Sequence, residues 1–312
     1  MLGNPHLDEV IVAPRRRGPA AVMADARLIG RLRRRGFDLA IDFHGGPRAS
    51  LLTWLSGARV RIGYDVVGRG WMYTRRVTRP RALRPRHSVE NQWDLLEPLE
   101  IGPPDPTAFP VEMTVDPAAV DAVRSRLDRA GVDPAAQLIV VHVSAGSPFR
   151  RWPAEAFAEM VASLAAGGPE RRVIVTSGPS DAEAADRVIA DARRRLGATG
   201  GRVVQCGELT LPELRALLER AALYIGGDSG PLHIAATTRS PIVGLYGPTL
   251  PSRSAPWRPS SRPAAAVDVG PLPCRPCDQR VCAPGDFRCL TGLDPAQVIA
   301  AAERLLGGAP PG

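Results

Sequence analysis

The sequence predicts an α/β protein of two Rossmann-like domains facing a cleft. Three observations carry this. Short apolar runs alternate with helical patterns along nearly the whole chain, the signature of parallel strands covered by helices. A proline- and glycine-rich stretch at 102–110 breaks the alternation, which then restarts. The 312 residues, 44% hydrophobic and 23% charged, suffice for two cores.

The elements follow in order. Val10–Val12 reads as a short strand. Residues 22–35 read as a helix, with Met23, Ala26, Leu28 and Leu32 at helical spacing. Strands are expected at 39–42 and 60–62, with a helix at 49–55 between them. A further helix is expected over 88–99, carried by Val89, Trp93 and Leu96. The domain boundary falls near residue 110, giving an acceptor-side domain at 1–110 and a second at 111–312. In the second, Asp116-Pro117 opens a helix that Gly131 stops. Strands follow at 138–143, 173–176, 203–205, 223–225 and 242–246. Helices lie between them at 153–164, 181–196, 211–221 and 231–237. A last helix includes 300–306, and the Gly/Pro tail beyond it is expected to fray.

Charge is unevenly spread. All 40 basic residues are arginine, which fits a GC-rich coding bias. Residues 1–90 carry 18 arginines against 7 acidic residues, net +11; the remainder carries 22 against 25, net −3. A single-sign field draws anionic partners, and each arginine near anionic head groups contributes about 1 kcal/mol. A solvated basic face is the plain alternative. Nucleic acid is not expected, because no helix-turn-helix, zinc-finger or RNA-binding aromatic pattern is present. No apolar run reaches membrane-span length and no secretory signal opens the sequence, so the expected location is cytoplasmic.

Two loops carry the chemistry. The first is Gly226-Gly227-Asp228-Ser229-Gly230-Pro231-Leu232-His233, where a strand runs into small residues and a helix begins. Unpaired first-turn amides and close-approaching glycines suit a diphosphate. A helix capped by Ser229 or Asp228, with His233 packed, is the plain alternative. The second runs from Ser144 through Arg150-Arg151-Trp152-Pro153, where arginine offers forked donors to phosphate. Alone it is equally a solvated turn; beside the first loop it reads as the other wall of one anion site.

These two loops, with Val243-Gly244-Leu245-Tyr246-Gly247-Pro248-Thr249, together resemble glycosyltransferase family 9, the bacterial heptosyltransferases of the lipopolysaccharide inner core. Asp42-Phe43-His44-Gly45, Arg61-Ile62-Gly63-Tyr64 and the segment from His87 to Leu96 are similar to the family's acceptor-domain landmarks. The resemblance implies a GT-B fold and inverting, metal-independent transfer from a nucleotide-sugar, typically ADP-heptose, to an anionic core acceptor at the inner membrane face. It implies that Ser144 and Arg150 contact phosphate, Glu183 the ribose and Leu209 the base. Asp228 would hold sugar hydroxyls, with Ser229, Gly230 and His233 along the diphosphate. Asp42, His44, Arg48, His87 and Asn91 are the acceptor-side candidates. Glu183 reads equally as a helix-surface acid and Leu209 as a core residue.

The family's first strand, its Gly-Asp loop and the following helix find no counterpart here. The general base, the Asp of that loop, is therefore expected upstream of Met1, and the first domain is expected to be N-terminally incomplete. A donor-binding protein without turnover, and another GT-B transferase or epimerase, stay open beside the transferase. No cofactor is expected for catalysis. Cys274-x2-Cys277-x4-Cys282-x6-Cys289, in a loop-rich stretch at 270–292, has spacing for a structural zinc, with an iron–sulfur cluster as the lesser alternative. Cys206 stands apart as a core residue.

Overall fold

A computed structural model describes residues 4–13, 17–78, 86–144 and 147–307. The chain divides into two compact units, one up to Asp105 and one from Pro106. The expected break at 102–110 contains this division.

The first unit opens with α1 (Pro19–Arg35). Gly36 ends it in the left-handed conformation, φ 63°, and Arg33, Arg34 and Arg35 fill its last turn. Glycine is at ease in that conformation, and cations suit a helix C-terminus. Then come β1 (Leu39–Asp42), α2 (Pro47–Leu55), β2 (Val60–Tyr64), β3 (Arg75–Val77) and α3 (Ser88–Trp93). The strands form a three-stranded parallel sheet in the order β1-β2-β3. Asp42 is level with Gly63, and Ile62 with Arg75. The core is small: Ile62, Tyr64, Val77 and Leu95 are its buried members. Two expectations are corrected. Val10–Val12 is not a strand, because its backbone joins no sheet. The helix expected over 88–99 stops at Trp93 and continues as a 3-10 helix from Asp94 to Leu99; Pro98 has no amide hydrogen for an α-helical bond.

The second unit holds α4 (Pro117–Arg129), β4 (Gln137–His142), α5 (Ala154–Ala166), β5 (Arg171–Thr176), α6 (Ala182–Leu196), β6 (Val203–Gln205), α7 (Leu211–Glu219) and β7 (Leu223–Gly227). It continues through α8 (Gly230–Ala236), β8 (Ile242–Leu245), α9 (Pro251–Ser254), β9 (Ala264–Val267), α10 (Arg288–Thr291) and α11 (Pro295–Leu306). Capping explains several starts. Asp116 accepts from the Ala118 amide, and Thr210 with Glu213 forms a reciprocal capping box. Six parallel strands lie in the order β6-β5-β4-β7-β8-β9. Alternate side chains of each strand face opposite layers. Ile139, Val141, Val173, Val175 and Ile225 pack on Phe157, Met160, Val188 and Val298 of α5, α6 and α11. Leu138, Val140, Ile174 and Tyr224 pack on Val123, Leu127, Leu217 and Leu232 of α4, α7 and α8. The tail at 308–312 lies outside the described residues.

Candidate functional site

Strand order in the second unit reverses between β4 and β7. Doubly wound sheets bind ligands beyond the carboxyl ends of strands at such a point. His142, which ends β4, pairs with Gly226 of β7. The loops leaving these two strands therefore start side by side, and they are the two loops singled out in the sequence. Residues 145–146, within the loop after β4, lie outside the described residues.

Asp228 is buried and its amide donates to Leu245 O at 3.2 Å. Its Oδ2 lies 3.6 Å from Arg150 Nη1 and its Oδ1 3.8 Å from His233 Nε2. Arg150 Nη1 also donates to the Asp228 carbonyl at 2.9 Å, and its Nε donates to Gln279 Oε1 at 2.7 Å. A Cβ on Gly227 would stand 3.3 Å from Arg150 O, so glycine permits this close approach. Ser229 precedes α8 but caps it with no side-chain bond. Its buried Oγ, like the Tyr246 hydroxyl, has no hydrogen-bond partner among the described residues. Simple capping by Ser229 is thus not what the fold uses it for. Gly230 opens α8, and His233 stands half-exposed on it. At seven residues α8 offers a modest dipole, so most positive charge here comes from arginine.

Ser144 Oγ donates to Asp181 Oδ2. Asp181 is buried; Arg151 Nη2 sits 2.8 Å from its Oδ1, and Ser180 Oγ donates to it at 3.1 Å. The sequence reading passed over Asp181 in favour of Glu183, which lies exposed in the first turn of α6. The missed signal was an acid placed where the turn after a strand enters a helix. Leu209 packs against the core layer of α4 and α7. Beside it Gln205, Gly207 and Glu208 face Ser177, Gly178 and Pro179 across a cavity of about 130 Å³ at the ends of β5 and β6. Burial pushes the His142 imidazole down to about 4, against the opposing pull of Asp181.

In the first unit the structure gives most acceptor-side candidates local partners. Asp42 is buried; its Oδ1 accepts from the His44 and Gly45 amides at 2.9 and 2.8 Å. Its Oδ2 accepts from the Tyr73 hydroxyl at 2.6 Å and Ser50 Oγ at 3.4 Å. Burial, then the bond to Asp42, pushes Tyr73 up to about 12. A Cβ on Gly63 would lie 2.4 Å from the Tyr73 ring, so this strand position must be glycine. Asp42 thereby shapes the loop that carries His44, which is exposed. Tyr73→Phe leaves a buried carboxylate oxygen short of its best donor. A stability loss of about 1–3 kcal/mol is expected, read as a lower urea midpoint. Arg48 pairs with Asp25 at 2.6 Å. His87 Nδ1 accepts from the Val89 amide at 3.1 Å and Glu90 accepts from His87 N at 3.0 Å, a capped helix start. Asn91 Oδ1 accepts from Arg86 Nε at 3.1 Å.

Cys274, Cys277, Cys282 and Cys289 are free, partly buried thiols. Among the described residues no three His, Cys, Asp or Glu side chains converge as a metal-holding set. Cys277 Sγ accepts from the Gln279 amide at 3.2 Å. Cys206 is partly buried, packed against the α4 and α7 layer, and burial pushes its thiol up.

Known proteins match this architecture. The model of glycosyltransferase family 9 (heptosyltransferase) matches residues 26–286. The chain is 32% identical over 281 residues to lipopolysaccharide heptosyltransferase 3 of Escherichia coli, covering 89% of this chain and 78% of that one. A family 9 glycosyl transferase from Veillonella parvula superposes with a TM-score of 0.79 at 24% identity, covering 99% of this chain and 85% of the other. The E. coli ADP-heptose lps heptosyltransferase II superposes with a TM-score of 0.70 at 19% identity, covering 92% and 82%. The fold class is α/β with two parallel-sheet units, as in GT-B glycosyltransferases. By the span of the family match and the identity to its relative, this chain is an enzyme of glycosyltransferase family 9, the heptosyltransferases.

Proposed function

We propose that this chain transfers heptose from ADP-heptose to a lipopolysaccharide core acceptor, with inversion and with its own side chains, rather than a metal, offsetting the diphosphate charge. The observation that supports this most is the cluster of Arg150, Asp228 and His233 at the end of β7, beside the loop that opens with Ser144 at the end of β4. The donor named for the E. coli relative matches that chemistry. Arg150, and Arg151 beside Asp181, supply charge to the leaving diphosphate; forked guanidinium donors suit phosphate oxygens. Ser144 adds a hydroxyl, and Asp228 accepts from sugar hydroxyls. The nucleoside lies toward the cavity of Gln205 and Glu208. The acceptor hydroxyl displaces ADP at the anomeric carbon from the opposite face, so one carbon–oxygen bond forms as the other breaks and the hydroxyl proton passes to a general base. His44 is the acceptor-side residue that this reading retains. The arginine-rich first unit faces anionic lipid at the cytoplasmic membrane surface.

The test is nucleotide-dependent melting combined with a product assay. ADP at 100 times its Kd stabilises by about 2.7 kcal/mol, which moves Tm by about 5–10 °C for a unit of this size. UDP and GDP are expected to give smaller shifts. A folded sample that ADP does not stabilise would overturn the reading. Stabilisation without transfer from ADP-heptose would leave a donor-binding protein.

A further inference from the structure

The cysteine-rich segment is fastened to the loop after β4, which carries Phe149 and Arg150, and to Pro248 and Thr249 after β8. Arg275 donates to Thr249 O at 3.1 Å, to Asp268 Oδ2 at 3.0 Å and to Gly270 O at 2.6 Å. Its side chain is only 2% exposed, so this anchor is internal. The Cys277 amide donates to Pro248 O at 3.2 Å. Phe287 meets Phe149 edge to face, ring centres 5.3 Å apart. Between these anchors stands Gln279, with φ 60°. A residue with a Cβ takes that conformation only where surrounding bonds hold it there. Two bonds do: its amide to Cys277 Sγ, and its Oε1 accepting from Arg150 Nε. The same guanidinium spends Nη1 on the Asp228 carbonyl.

From this geometry we infer that Gln279 is a positioning residue for Arg150, a role resting on the donor-site reading above. Gln279 and the Asp228 carbonyl hold two edges of the guanidinium. Its remaining Nη2 group is thereby oriented before the diphosphate arrives. A long arginine side chain loses rotamer freedom on binding, and fixing it beforehand lowers that cost. The sequence gives no hint of this pair, since the partners lie 129 residues apart.

The experiment titrates ADP into the intact chain carrying Gln279→Met, Gln279→Gly, Arg150→Ala and the double variants. Gln279→Met removes the acceptor at similar size. Gln279→Gly removes it while easing the left-handed backbone, so this variant folds even if the other does not. Both are expected to raise the ADP Kd about five- to tenfold. Gln279→Gly is expected to do so with a nucleotide-free Tm unchanged or raised, which a merely structural residue would not show. In the Arg150→Ala background, neither change should weaken ADP further. Full ADP affinity in both Gln279 variants, with a loss in Arg150→Ala, overturns the positioning role and leaves the donor site standing. Equal losses with and without Arg150 overturn it as well. If Arg150→Ala itself binds ADP normally, Arg150 has no part in the donor site and both readings fall.

Discussion

Asp228→Ala is expected to lower kcat/KM by about 10²–10⁴-fold while leaving ADP affinity within a few-fold of the parent. The carboxylate is buried, yet Arg150 Nη1 and His233 Nε2 stand at 3.6 and 3.8 Å, beyond hydrogen-bond reach. Its oxygens therefore keep acceptor capacity for a ligand. A hydrogen bond to a charged group contributes about 1.5–3 kcal/mol, so two bonds to sugar hydroxyls account for the expected loss at about 1.4 kcal/mol per decade. ADP carries no heptose. Removing Asp228 also frees Arg150 from a competing anion, which favours a diphosphate. Asp228→Asn keeps the volume and one acceptor, so an intermediate loss is expected. Steady-state kinetics with ADP-heptose and calorimetry with ADP separate the two terms. If ADP and ADP-heptose weaken together, the carboxylate orders the arginine rather than the sugar.

Much of this site was legible because it is local. Asp228, Ser229 and Gly230 follow a strand directly, and a buried strand such as 137–142 is a plain apolar run. The helix start at Asp116 announced itself through its cap. His87 and Asn91, expected on the acceptor side, also make local bonds at the start of α3. β3 and β9 went unread, because Arg75-Arg76-Val77 and Ala264-Ala265-Ala266-Val267 have little strand propensity and exist through pairing with β2 and β8. Val10–Val12 erred the other way: an apolar run is a strand only with a partner. The remainder was illegible because it depends on sequence-distant pairs. Asp181 meets Ser144 across 37 residues, and Gln279 meets Arg150 across 129. Cysteine spacing likewise records separation along the chain, whereas a ligand set requires convergence in space.

His142 ties the same strand ends to acid stability. It ends the central strand β4, flanked by β5 and β7, with Nδ1 3.0 Å from Thr176 Oγ1. Burial holds its folded-state pKa at about 4, below the ordinary value of about 6.5. Above about pH 6.5 both states are neutral at this ring, and it adds no pH dependence. Between about 6.5 and 4 the unfolded chain binds the proton and the folded chain does not. Stability therefore falls as pH drops through that window, by about 1.4 kcal/mol per unit and about 3 kcal/mol in all. His142→Asn cannot titrate there. It is expected to be less stable than the parent at pH 7.5 but to lose about 2 kcal/mol less on going to pH 5, measured by urea unfolding at both pH values. Only the difference in slope is at issue, so the cost of the substitution itself cancels. Parallel pH profiles would mean that the imidazole is protonated in the folded state, with Asp181 as the counterion drawing it up. In that case the strand end beneath Ser144 carries a positive charge, and the donor loop rests on an ion pair instead of a neutral ring.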